Sequence, residues 1–180
     1  MGRCGAGEAQ TGVIRLCFHG GESTGKSVLA AKLSAELGYP WVPEYGREYC
    51  EKRGTDLAMP DLLVIAAQQD ALASRAAASD PPVLILDTDP LMTAAWAQML
   101  FGKVPDELLN YTKADLYLLF ADDVPWVADG TRFFGAAEER EQFAALAEEM
   151  LTRAGVRFQR IVGNWEERET QVRAAIDQLL

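Results

Sequence analysis

Apolar positions along the chain follow two rhythms that take turns. Short runs rich in β-branched, aromatic and leucine residues occur at residues 13–18, 39–43, 83–86, 116–120 and 157–162, and each is read as a strand. Between them the spacing changes to every third or fourth residue. Leu29, Ala30, Leu33 and Leu37 share a face over residues 27–37. Leu62, Ile65, Ala66, Gln69, Leu72 and Ala73 share one over 61–79, and Val172, Ala175, Ile176 and Leu179 share one over 166–180. Residues 91–101, 107–111 and 136–154 are also read as helices. This alternation predicts an α/β fold, a three-layer sandwich in which a five-stranded parallel sheet carries helices on both faces. Gly38 stands where a helix C-cap is expected and Asp61 where an N-cap is, while Asp80-Pro81-Pro82 breaks the long helix. Pro40 and Pro43 bracket the second strand and mark it as irregular or edge.

The first strand-to-helix junction carries chemistry. Gly20-Gly21-Glu22-Ser23-Thr24-Gly25-Lys26-Ser27 is the phosphate-binding P-loop pattern G-x-x-x-x-G-K-[ST], in the strand–loop–helix context that it needs. Glycine lets main-chain N–H groups close on a phosphate, and the helix N-terminus adds free donors and partial positive charge. Gly21, Glu22, Ser23, Thr24, Gly25, Lys26, Ser27 and Val28 are the expected ATP-binding residues. Lys26 reaches the β- and γ-phosphates, and the Ser27 hydroxyl ligates Mg²⁺. The third strand ends in Asp87-Thr88-Asp89. A buried strand closing on a carboxylate downstream of a P-loop makes Asp87 the second Mg²⁺ ligand. Asp89 is read either as a group at the substrate or as a helix N-cap ahead of Pro90.

In such sheets ligands gather at the carboxyl ends of the strands. Glu44 and Arg47 follow the second strand, so Glu44 is a candidate to orient or deprotonate a hydroxyl and Arg47 to hold a phosphate or a ribose. The opposing reading makes both surface charges of a helix start. Gln69 is either a partly exposed helix residue or a hydrogen-bonding group aimed into the cleft. Trp96 is either core or a stacking platform. Residues 122–135, interrupted by glycines and aspartates, lead into a charged helix, where P-loop kinases carry a lid. Over the span 122–140, Arg132 and Arg140 are the candidates to neutralise a transferring phosphoryl group. Trp165, after the last strand, is either an adenine contact or a helix-start anchor.

Composition narrows the class. A net charge of −10 argues against a nucleic-acid binder. No apolar run approaches the ~18 residues of a membrane span. Residues 1–12 lack the hydrophobic stretch of a secretory signal and are read as a disordered lead-in to a domain over 13–180. Cys4, Cys17 and Cys50 form no close pair, so reduced cytoplasmic thiols are expected. The sole histidine, His19, is read as a strand-end residue, with phosphate contact as the alternative. Thr112-Lys113-Ala114-Asp115 imitates a guanine-specifying motif but precedes its strand instead of following one. Asp87-Thr88-Asp89-Pro90 also lacks the glycine of the GTPase D-x-x-G, so a GTPase is set aside.

Five stretches together resemble the ribosylnicotinamide kinase domain of the bacterial NAD-biosynthesis regulator family: the P-loop, Glu44-Tyr45-Gly46-Arg47-Glu48, Leu86-Asp87-Thr88-Asp89, Trp126-Val127-Ala128-Asp129-Gly130-Thr131-Arg132 and Gln171-Val172-Arg173-Ala174. The second and fourth are far more specific than any P-loop. The resemblance implies a P-loop kinase with a lid that moves the γ-phosphate of ATP, with Mg²⁺, to the 5′-hydroxyl of nicotinamide riboside. Its catalytic candidates are Lys26, Glu44, Asp89, Arg132 and Arg140. Its substrate-binding candidates are Glu44, Tyr45, Arg47, Gln69, Asp87, Trp96 and Asp129. The family's repressor and nucleotidyltransferase domains have no counterpart here, so a stand-alone kinase is expected, with a small-molecule nucleoside and ATP as partners and neither nucleic acid nor membrane. Two alternatives stay open: a kinase for another nucleoside, and a regulatory P-loop ATPase with no small-molecule acceptor.

Overall fold

The computed structural model describes residues 12–125 and 136–180. β1 (Ile14–Gly20) is the central strand of a five-stranded parallel sheet ordered β2-β3-β1-β4-β5. The chain runs from β1 through α1 (Lys26–Leu37) to β2 (Trp41–Val42), then through α2 (Tyr45–Arg53) and α3 (Met59–Ala77) to β3 (Val83–Leu86). It continues through α4 (Pro90–Phe101) and α5 (Asp106–Asn110) to β4 (Leu116–Phe120), and through α6 (Ala137–Arg153) to β5 (Phe158–Ile161), and closes on α7 (Trp165–Asp177). The two-residue β2 at the sheet edge fits its bracketing prolines.

The pleat of β1 sorts its side chains between two cores. Leu16 and Phe18 pack with Leu29 and Leu33 of α1 and with Val172 and Ile176 of α7. Cys17 lies in the opposite core with residues of α3, α4 and α6, including Leu62, Leu91 and Phe143. Burying side chains of this size stabilises by roughly 1.5–3 kcal/mol each, and strands covered on both faces account for the unbroken apolar runs of β3 and β4.

Helix ends are set by local chemistry. Gly38 caps α1 in the left-handed region, φ 74°. Asp61 is not the N-cap of α3; Ala58 holds that position, and Asp61 sits three residues on, where its carboxylate accepts the Ala58 N–H at 2.8 Å. Glu138, Glu139 and Glu141 of α6 are exposed, as a solvated face requires. Residues 1–11 of the expected lead-in, and residues 126–135 of the expected lid with Asp129 and Arg132, lie outside the described residues. Among the described residues no helix is long and apolar enough to cross a membrane.

Candidate active site

The order β2-β3-β1-β4-β5 puts the chain's reversal beside β1, and the loops at the carboxyl ends of β1, β2 and β3 meet there. The P-loop connects β1 to α1. Gly20 has φ 122°, and a Cβ there would stand 2.6 Å from the Phe120 carbonyl oxygen. Gly25 has φ 83°, and a Cβ there would meet the Trp165 ring at 2.1 Å. Both glycines are thus required by conformation and by close approach. Thr24 donates to the Gly21 carbonyl at 2.9 Å and closes the loop on itself. Lys26 Nζ lies back along the loop, donating to the carbonyls of Gly20 (2.9 Å) and Gly21 (2.5 Å). Burial lowers its pKa, and Glu44, Asp87 and Glu22 pull the other way. Val28 points to solvent, 76% exposed.

Ser27 and Asp87 are brought together. The Ser27 hydroxyl lies close enough to Asp87 to stabilise its ionised carboxylate, and the carboxylate oxygen Oδ1 is buried without a partner. Two hard oxygens at a phosphate-binding loop, one of them with its lone pairs unspent, fit Mg²⁺. Burial raises the Asp87 pKa against the Ser27 bond and the Lys26 charge.

On the β2–β3 side the P-loop borders a solvent-open cleft of about 610 Å³. Glu22, Glu44, Arg47 and Gln69 line it together with Thr88, Thr93 and an apolar wall of Leu62, Ile65, Met92 and Trp96. Glu44 is the N-cap residue of α2, and burial and the neighbouring Asp87 raise its pKa. Trp96 is half-buried; it lines the cleft and packs on Phe143 at 4.4 Å between ring centroids.

Several candidates take positions that differ from those expected. Gln69 is 2% exposed, not a partly exposed helix residue. Its Oε1 accepts the Tyr45 N–H at 2.8 Å, and its Nε2 donates to the carbonyls of Pro43 (3.2 Å) and Thr88 (3.4 Å). It therefore fastens the turn after β2 to the turn after β3. Tyr45 packs edge-on against Tyr49 and is not among the cleft-lining residues. Asp89 takes its capping alternative: its carboxylate accepts the Leu91 N–H at 3.0 Å and the Tyr117 hydroxyl, and it does not line the cleft. Burial pushes its pKa up to about 6. His19 is wholly buried against α6 with Nε2 2.9 Å from the Ala147 carbonyl, so the phosphate-contact alternative fails. Arg140, in the first turns of α6, has Nε 3.9 Å from Asp122. Trp165 opens α7 with its ring against Gly25.

Two site residues were missed from sequence. The Thr88 hydroxyl is buried, unpartnered and at the cleft; its place between two aspartates was the available signal. Arg168 is wholly buried and donates to the carbonyls of Thr24, Gly163 and Ala121. Its charge, embedded in an amphipathic helix, gave no signal.

This fold and its P-loop site define an α/β P-loop kinase architecture. The AAA domain family (AAA_28) matches residues 15–168, and the chain belongs to that family. It is also similar to the trifunctional NAD biosynthesis/regulator protein NadR of Escherichia coli (strain K12), 32% identical over 149 residues, covering 79% of this chain and 36% of that protein. The NadR of Salmonella typhimurium is 32% identical over 146 residues, with 77% and 36% covered. The chain thus spans about a third of the length of these relatives. In fold it is similar to a crystal structure of NadR protein in complex with NR, with TM-score 0.75 and 22% identity over 92% of this chain and 51% of that one. It is also similar to deoxyadenosine kinase from M. mycoides, with TM-score 0.66 and 14% identity over 92% of this chain and all of that one.

Proposed function

We propose that the protein transfers the γ-phosphate of ATP to the 5′-hydroxyl of nicotinamide riboside, giving nicotinamide mononucleotide. The observation that carries this reading is the cleft that runs from the P-loop at Glu22 past Glu44 to Trp96. A nucleotide-binding switch needs no second pocket, whereas a transferase does. The nicotinamide ring is a cation. The Trp96 face suits it by stacking and cation–π attraction, and the carboxylates of Glu22 and Glu44 supply opposing charge. The named relatives are NAD biosynthesis proteins, and one structural neighbour holds NR.

In the proposed reaction the P-loop N–H groups and the start of α1 hold the phosphates. Lys26 exchanges its carbonyl contacts for phosphate oxygens. Glu44 accepts a hydrogen bond from the 5′-hydroxyl and aligns it; its raised pKa makes it a better proton acceptor than an ordinary carboxylate. Arg47 holds the ribose, and Arg140, with Arg132, closes over the transferring group. Mg²⁺, held by Ser27 and Asp87, would neutralise charge on the phosphate oxygens. Most of the acceleration comes from positioning and charge stabilisation.

A second reading, a kinase for another nucleoside, is favoured by the likeness to a deoxyadenosine kinase over its whole length. An ADP-release assay with Mg-ATP and a nucleoside panel decides. Fastest turnover with nicotinamide riboside supports the first reading, and a different best substrate supports the second. ATP binding with no acceptor-dependent turnover overturns both and leaves a regulatory ATPase.

A further inference from the structure

Behind the P-loop, on the face of β1 that meets α4 and α6, three side chains with metal-binding chemistry converge. Cys17 and His19 stand two apart on β1, so the pleat sends both the same way. Asp89, capping α4, completes the group. A thiol sulfur, an imidazole nitrogen and a carboxylate oxygen, one from each, lie within 4.8 Å of one another. All three residues are at most 4% exposed.

His19 supplies a second, independent observation. Its Nε2 faces the Ala147 carbonyl, which can only accept, so Nε2 carries the proton. Nδ1 then holds a lone pair, and it is buried with no partner. Buried polar atoms without partners are uncommon and call for an explanation. A neutral imidazole fixed through its far nitrogen by a backbone carbonyl is the arrangement that metal-ligating histidines use. The carboxylate is oriented too: Tyr117, paired with Cys17 across β1 and β4, donates to Asp89.

We propose that Cys17, His19 and Asp89 form a binding site for a thiophilic divalent cation of the Zn²⁺ type, distinct from the Mg²⁺ position at Ser27 and Asp87. Thiolate, neutral imidazole and carboxylate together bring two negative charges, which cancel the cation and make its burial tolerable. Sulfur and nitrogen favour Zn²⁺ over Mg²⁺. On binding, a metal–sulfur bond replaces the S–H bond, the thiol proton leaves to solvent, and no oxidation state changes. The cation links the end of β1, which feeds the P-loop, to the start of α4, which follows Asp87.

The test uses the whole chain, produced with zinc in the medium, exchanged against a weak chelator and analysed for metal. About one Zn²⁺ per chain is expected. Co²⁺ in its place gives a thiolate-to-cobalt band and the intense visible bands of a four-coordinate ion. Tm rises by about 5–10 °C at a hundredfold excess of free Zn²⁺ over Kd. Cys17→Ser abolishes the thiolate band and lowers metal content severalfold, and His19→Gln does the same, whereas Asp87→Asn retains the ion. Little metal in the folded wild type, a cobalt spectrum without the thiolate band, or full retention in folded Cys17→Ser overturns the proposal. If a variant does not fold by circular dichroism, the wild-type cobalt spectrum decides alone.

Discussion

Arg168 Nη1 donates to the carbonyl of Thr24 at 2.8 Å, joining the first turns of α7 to the middle of the P-loop, 144 residues earlier in the chain. The same guanidinium reaches Gly163 through Nε (2.8 Å) and Ala121 through Nη2 (2.9 Å), pairs with Asp123, and lies over the rings of Phe120 and Trp165. One side chain therefore ties together the loops after β1, β4 and β5. Replacing Arg168 by Met leaves three carbonyls without donors. At about 1 kcal/mol each this costs about 2–4 kcal/mol; the ion pair adds little because Asp123 is substantially exposed. A urea titration reads the stability loss, and the KM for ATP rises about tenfold or more as Thr24 is released. Lys at 168 does not rescue, because one ammonium cannot match three fixed directions. An unchanged ATP KM in a destabilised variant would make Arg168 a purely structural residue.

Lys26→Ala separates folding from function. The ammonium is held in a buried setting that lowers its pKa, so its removal relieves a desolvation cost. The urea midpoint is expected to stay level, because losing the bonds to the Gly20 and Gly21 carbonyls offsets that relief. Turnover falls by about a thousandfold or more, since Lys26 is the single basic residue of the P-loop and no neighbour in the loop takes its place at the phosphate oxygens. Full activity in the variant contradicts the P-loop assignment.

The elements that sequence made legible are those in which each residue's job is local. The P-loop spacing, the apolar runs of β3 and β4 and the glycine stop after α1 report on their own backbone, and they were placed within a residue or two. The edge position of β2 followed from two prolines. What stayed hidden depends on partners far along the chain. Gln69 gained its meaning from Pro43, Tyr45 and Thr88, and Arg168 from Thr24 and Ala121. A polar residue on an apolar stripe is a sign that such a partner exists, but spacing does not say which. Asp89 shows the reverse: a carboxylate one residue past Thr88 suggested substrate, and the Leu91 N–H and Tyr117 claimed it.

Asp61 predicts a pH effect at the start of α3. The Tyr49 hydroxyl, first, and the Ala58 N–H, second, hydrogen-bond its carboxylate and hold its pKa below the usual range. A lowered folded-state pKa gives stability that is complete above the unfolded value, about 3.9, and is lost as pH falls through the folded value. Asp61→Asn therefore lowers the thermal midpoint at neutral pH, and the gap between variant and wild type narrows in acid. A gap that stays constant down to about pH 2 contradicts the ionised carboxylate as the source.

Gln69→Leu tests whether the two turns at the cleft are fastened by its amide. Leucine fills the space but leaves the Tyr45 N–H and the Pro43 and Thr88 carbonyls without their partner. Stranding the buried donor alone costs about 1–3 kcal/mol. The kinetic consequence is specific, because the fastened turns carry Glu44 and Thr88 at the cleft, whereas the P-loop is anchored elsewhere by Thr24 and Arg168. Acceptor turnover is expected to fall at least tenfold with the KM for ATP within about twofold of wild type, since misplacing a reacting group by about 1 Å can cost a hundredfold. Gln69→Glu keeps the acceptor for Tyr45 but turns a carboxylate toward two carbonyls, so it fails in the same direction. If both variants lose ATP affinity and acceptor turnover equally, the amide supports the fold as a whole and not the acceptor side of the site.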